Sequence, residues 1–93
     1  MAHISFTGNR WEITGDIEIN NATALLAASQ KLEMVSNTQI DFSKVAEIDT
    51  AAISLIFEWK RRAIAENKQL SFLNLPANLK SLTQLYGVAE LIN

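Results

Sequence analysis

The 93-residue sequence has no cysteine, one histidine, one proline and three glycines. Without thiols there is neither a disulfide framework nor a thiolate metal site, which agrees with a cytoplasmic protein. The lone His3 has no cysteine or second histidine to work with. Scarce glycine removes the phosphate-cradling loops of nucleotide enzymes, and each glycine has a turn or cap duty instead. A basic excess is also missing: the net charge is −2, which argues against general nucleic-acid binding. No apolar run approaches a membrane span; the longest, Ala51 to Phe57, is interrupted by Ser54. The opening Met1-Ala2-His3-Ile4-Ser5-Phe6 lacks the basic and apolar parts of a signal peptide, so we expect no targeting segment.

What is present is a globular composition, 48% hydrophobic and 19% charged, in a length that holds one domain, residues 1–93, with no linker or repeat. Residues 3–14 read as a β-hairpin around Gly8-Asn9-Arg10, ended by Gly15-Asp16. Asn20 and Asn21 precede an alanine-rich helix of about four turns that reaches Leu32 and Val35, with an asparagine cap. Ile40 to Ser43 alternates as a strand, Ala51 to Glu66 has helical spacing, and Leu70 to Leu73 is a further strand. Pro76 suits the first turn of a last helix carrying Leu79, Leu82, Leu85 and Tyr86, with Gly87 as its C-terminal cap. The fold class is therefore α/β: a hairpin, then alternating helices and strands, giving a mixed sheet of four to five strands with helices mainly on one face. The expected core is Ile13, Leu25, Ile40, Phe42, Ile56, Trp59, Phe72, Leu82 and Leu85.

The helix after Thr50 carries two apolar stripes. Ala52, Leu55, Ile56, Trp59 and Ala63 form one, and Ile53, Phe57 and Ile64 the other, with Ser54, Glu58, Arg61 and Arg62 opposite. Either both stripes are buried, or Ile53 and Phe57 stay partly exposed beside Thr50 as a docking surface. Lys60-Arg61-Arg62 reads as the solvated side of this helix. Asp49 and Thr50 are both good N-cap types, and a hydroxyl at the positive end of a helix is a natural seat for an anion, a phosphoryl group or a partner's acceptor. Asp16, Glu18, Asp41, Glu47 and Asp49 read as caps and surface rather than as a catalytic set.

The segment Asp41-Phe42-Ser43, Val45, Ile48-Asp49-Thr50-Ala51-Ala52-Ile53 resembles the signature of the STAS family, the domain of anti-sigma-factor antagonists and sulfate-transporter tails. Gly15-Asp16-Ile17-Glu18 resembles the family's Gly-Glu-Leu-Asp motif, and Thr23-Ala24-Leu25 the opening of its first helix, at a longer spacing. Leu73-Asn74-Leu75-Pro76 and Leu85-Tyr86-Gly87-Val88 resemble its closing segment. The resemblance covers nearly the whole chain. The threonine hydroxyl and the segment from Asp49 through Val88 are closest to the small STAS subunits of Mla-type phospholipid ABC transporters.

By that resemblance the chain is not an enzyme and takes no cofactor or metal. It would bind the transporter's cytoplasmic ATPase subunit, meet the membrane only through that complex, and support outer-membrane phospholipid asymmetry. Asp49, Thr50, Ala51, Ala52, Ile53 and Phe57 are the partner-binding residues this implies. Where the family commonly has two glycines after the hydroxyl, this chain has Ala51 and Ala52, which add methyl groups at a point of close approach. The alternative is an anti-sigma-factor antagonist whose Thr50 is phosphorylated by a regulatory kinase, switching its hold on an anti-sigma factor.

Overall fold

The computed structural model describes residues 3–85. Strands β1 (His3–Thr7) and β2 (Arg10–Ile17) form the hairpin, followed by α1 (Ala22–Gln30) and β3 (Thr38–Ile48). Then come α2 (Ala51–Ala65), β4 (Leu70–Leu73) and α3 (Ala77–Leu85). The sheet order is β1-β2-β3-β4; β1 and β2 are antiparallel, while β3 is parallel to both β2 and β4. The parallel pairs are joined through α1 and α2, as a parallel connection requires. The hairpin turn places Gly8 at φ 61°, and a Cβ added there would meet nothing within 4 Å, so glycine is favoured by backbone conformation alone.

Alternation along β2 and β3 puts Trp11, Ile13, Ile40 and Phe42 into one core with Leu25 of α1 and Ile56 and Trp59 of α2. Trp11 and Trp59 meet edge to face at 6.1 Å, and the Trp59 indole N–H donates to Ser29 Oγ at 2.9 Å. The expected core holds at Ile13, Leu25, Ile40, Phe42, Ile56 and Trp59, while Phe72 and Leu82 are only partly buried against it. Leu85 is not core: it is 76% exposed. A step of three, taken twice from Leu79, falls short of the packed side of a helix by about a third of a turn, and Thr83, four residues on, is buried instead. Tyr86 and Gly87 lie outside the described residues.

Three boundaries differ from expectation. Strand β2 continues through Gly15-Asp16, taking a register shift against β3 between Gly15 and Ile17. Strand β3 has 11 residues rather than four, because its second half, polar and mostly exposed, still pairs with β2. Helix α1 stops after nine residues, and Met34 then enters the core. Arg62 explains that stop. Its guanidinium donates to the carbonyls of Ser29 at 3.0 Å and Leu32 at 2.6 Å, and lies 5.6 Å from the Trp11 ring centre. Arg62 is thus a clamp on the end of α1 rather than part of a solvated face.

Candidate functional site: the start of α2

Strands β2 and β3 run in the same direction, so the chain leaves both at one end of the sheet and begins α1 and α2 side by side. The Asn21 side chain closes the turn before α1, accepting from the Glu18 amide and donating to the Asp16 carbonyl, each at 2.8 Å. It pins the turn rather than capping the helix, since it makes no side-chain cap bond.

At the start of α2, the two N-cap candidates divide the work. Thr50 occupies the cap position, yet its backbone is already helical (φ −63°, ψ −19°) and its side chain makes no capping bond. Asp49 does the capping: Oδ1 accepts from the Ala51 amide at 2.8 Å, and its carbonyl accepts from Ala52 at 3.1 Å. Asp49 Oδ2 also accepts from the Ile19 amide at 3.1 Å, and the Asp49 amide donates to the Ile17 carbonyl at 3.0 Å, which ties the end of β2 to the helix start. The carboxylate satisfies the helix terminus, and the Thr50 hydroxyl is left exposed at the positive end of the dipole.

Between the two helix starts lies a groove of about 320 Å³. Thr50, Ala51 and Ser54 line one wall and Ala22, Thr23 and Leu26 the other, with Ile19, 82% exposed, also lining it. Of the expected partner-binding residues, Thr50 and Ala51 therefore stand together on the groove, with Asp49 beneath them as the anchor. Ala52 and Ile53 do not offer contacts: at 1% and 8% exposure they belong to the core, because they face the sheet side of α2. Phe57 is half-buried and two turns further along, on a second groove with Ile64 and Leu70. The α1 wall of the first groove was not among the expected partner-binding residues; in the sequence, Thr23 entered only through the resemblance to the opening of the family's first helix.

The Asp41 carboxylate of the motif has a structural duty. It accepts from the Asn74 side-chain amide at 3.0 Å and the Ser43 backbone amide at 2.9 Å, with Arg10 at 3.9 Å. The Asn74 bond, aided by Ser43 and the Arg10 charge, holds its pKa below the ordinary carboxylate value against the opposing effect of burial. Asp41 thereby fastens β3 to the turn that leaves β4. Among the described residues, no group of three or more His, Asp or Glu side chains could hold a metal ion. Nor is any described helix long and apolar enough to cross a membrane.

The unphosphorylated anti-sigma factor antagonist SpoIIAA shares the fold with a TM-score of 0.64 at 13% identity, over 91% of this chain and 83% of that one. Two crystal structures of Mglu also match at TM-score 0.60, each over 80% of this chain. The native form is 19% identical, the other 25%, and this chain spans only 23% and 19% of their respective lengths. No curated protein matches the chain. The family model described as "Mlab, STAS domain" matches residues 3–93, across the hairpin, the parallel strands and the exposed threonine at the head of α2. The chain belongs to the MlaB-type STAS domain family.

Proposed function

We propose that this chain is a non-enzymatic subunit that binds the ATPase of an Mla-type phospholipid ABC transporter and supports it at the cytoplasmic face of the inner membrane. STAS domains generally act by binding partner proteins. The observation that carries the reading is the division of labour at the head of α2: Asp49 caps, and the Thr50 hydroxyl stands exposed on a groove between two helices. A hydroxyl not needed for the helix suits direct contact with a partner, and Thr23, Leu26 and Ser54 give that partner a mixed polar and apolar seat. Lipid need not touch this chain in such a role; its contribution to outer-membrane phospholipid asymmetry would pass through the ATPase.

The second reading is an anti-sigma-factor antagonist switched at Thr50, favoured by the exposure of that hydroxyl and by the fold shared with SpoIIAA. A phosphoryl group would add about −1.5 to −2 charge beside Asp49, tolerable at a helix N-terminus but repulsive to an apolar partner. Titration of the ATPase subunit with Thr50→Ser, Thr50→Asn and Thr50→Asp separates the readings. The transporter reading expects Asn and Asp to fold but bind poorly and Ser to bind in part. A phospho-switch expects Asn to bind an anti-sigma factor constitutively and Asp not at all. Unimpaired ATPase binding by both Asn and Asp would remove Thr50 from the interface.

A further inference from the structure

Thr50, Ser54, Phe57, Arg61 and Ile64 recur at steps of four and three, so they form one ridge along the outer side of α2. The groove holding Thr50 flanks one end of this ridge. At the other end, where α2 meets β4, lies a second and larger groove of about 560 Å³. Phe57, Ile64 and Leu70 supply its large apolar side chains and Lys60, Arg61 and Lys68 its charge, with no acidic residue among those lining it. Two features set this groove apart. Ile64 is 80% exposed, although a polar residue there would serve the helix as well. The groove also gathers three of the chain's eight Lys and Arg residues, in a protein whose net charge is −2; Arg61 is paired with Glu58 one turn back at 3.2 Å, an exposed pair that leaves the lining itself without an acid.

We propose that this groove is a second docking site for the same partner, taking a segment that carries acidic residues beside apolar ones; the proposal rests on the reading of the chain as an ATPase-binding subunit. Charge complementarity selects the occupant: the lining is cationic and apolar together, so a segment with both complements fills it. A second copy of the chain in a symmetric pair would set like charges against each other. A bilayer is met by a flat or convex patch, whereas this surface is concave. The groove opens beside Leu70 on β4, the last strand in the sheet order, where an extended segment has room to lie.

Calorimetric titration of the Mla-type ATPase subunit into the full chain tests this, with Ile64→Ser, the double variant Arg61→Glu/Lys68→Glu, and Lys31→Glu as a charge control outside the groove. The first two are expected to weaken binding about tenfold with melting curves little changed, since the Arg61–Glu58 pair that the double variant loses is exposed, and the control to leave binding intact. The double variant should also flatten the salt dependence of binding. Binding that depends on Thr50 but not on Ile64, Arg61 or Lys68 overturns the second site and spares the first. No binding by the unsubstituted protein overturns both. Self-association abolished by Ile64→Ser would make the occupant a second copy. Cosedimentation with phosphatidylcholine–phosphatidylglycerol vesicles, abolished by the charge reversal, would make it a membrane. Either result overturns the proposal.

Discussion

The inner and outer sides of α2 differ in what they expose. On the inner side Ala52, Leu55, Ile56, Trp59 and Ala63 are all at most 3% exposed and packed against the sheet and α1. On the outer side Thr50, Ser54, Arg61 and Ile64 are exposed, and Phe57 is half-buried. Isoleucine occurs on both, at 0% exposure in Ile56 and 80% in Ile64. Residue type alone therefore does not tell which side a position serves; its angle about the helix axis does. Stability should follow the inner side and binding the outer.

The largest expected effect lies on the inner side. Ile56→Ala removes a fully buried side chain from the middle of the core and should cost ~2–5 kcal/mol in denaturant unfolding, with the range set by how far the site collapses. In a domain this small that is a large share of the total stability. A neutral result would erase the distinction between the two sides at its strongest point.

The contrast is between buried and exposed, not between apolar and polar, and Asp41 sharpens it. This acid is buried on β3, and its folded pKa is depressed chiefly by the Asn74 amide. A depressed carboxylate contributes stability that is fully present above the ordinary unfolded value of about 4 and is lost as pH falls through the folded value. Melting temperatures scanned from neutral pH into that acid window should fall for the natural chain. Asp41→Asn, lacking the titrating group, should start lower at neutral pH and fall less. Parallel curves for the two proteins would show that Asp41 does not carry the acid sensitivity.

How much of this was legible in the sequence depended on whether a signal was local. Helix α2 read almost to its ends, because its apolar period runs through the whole element and Asp49-Thr50 marks the start. The alternation of Ile40 and Phe42 was equally clear. The second half of β3 was not, because Ser43, Lys44, Ala46 and Glu47 are exposed and it is the pairing of Lys44, Val45 and Ile48 with β2 that makes the stretch strand. The early end of α1 was hidden for the same reason. Arg62, thirty or more positions away, takes the carbonyls at its C-terminus, and composition alone places an arginine in solvent. At the site, residue types located Thr50, but they could not say which of two neighbouring caps was in use. They also set Phe57 beside Thr50, whereas the two border different grooves.

That choice of cap gives the smallest expected effect and the finest form of the comparison. Asp49 and Thr50 are adjacent, both are standard N-cap types, and only the Asp49 side chain is bonded into the helix start. Asp49→Ala removes the acceptor for the Ala51 and Ile19 amides and should cost ~0.5–2 kcal/mol. Thr50→Ala removes no capping bond, and alanine is the better helix former, so its unfolding free energy should stay within about 0.5 kcal/mol of the natural chain. Paired denaturant melts of the two variants measure the difference directly. Equal losses would mean that the threonine hydroxyl caps the helix in solution. It would then be engaged by the chain's own backbone, and a partner could use it only by displacing that bond. A loss confined to Asp49→Ala leaves the hydroxyl for a partner, and any binding defect of Thr50→Ala then reports the contact itself rather than a frayed helix.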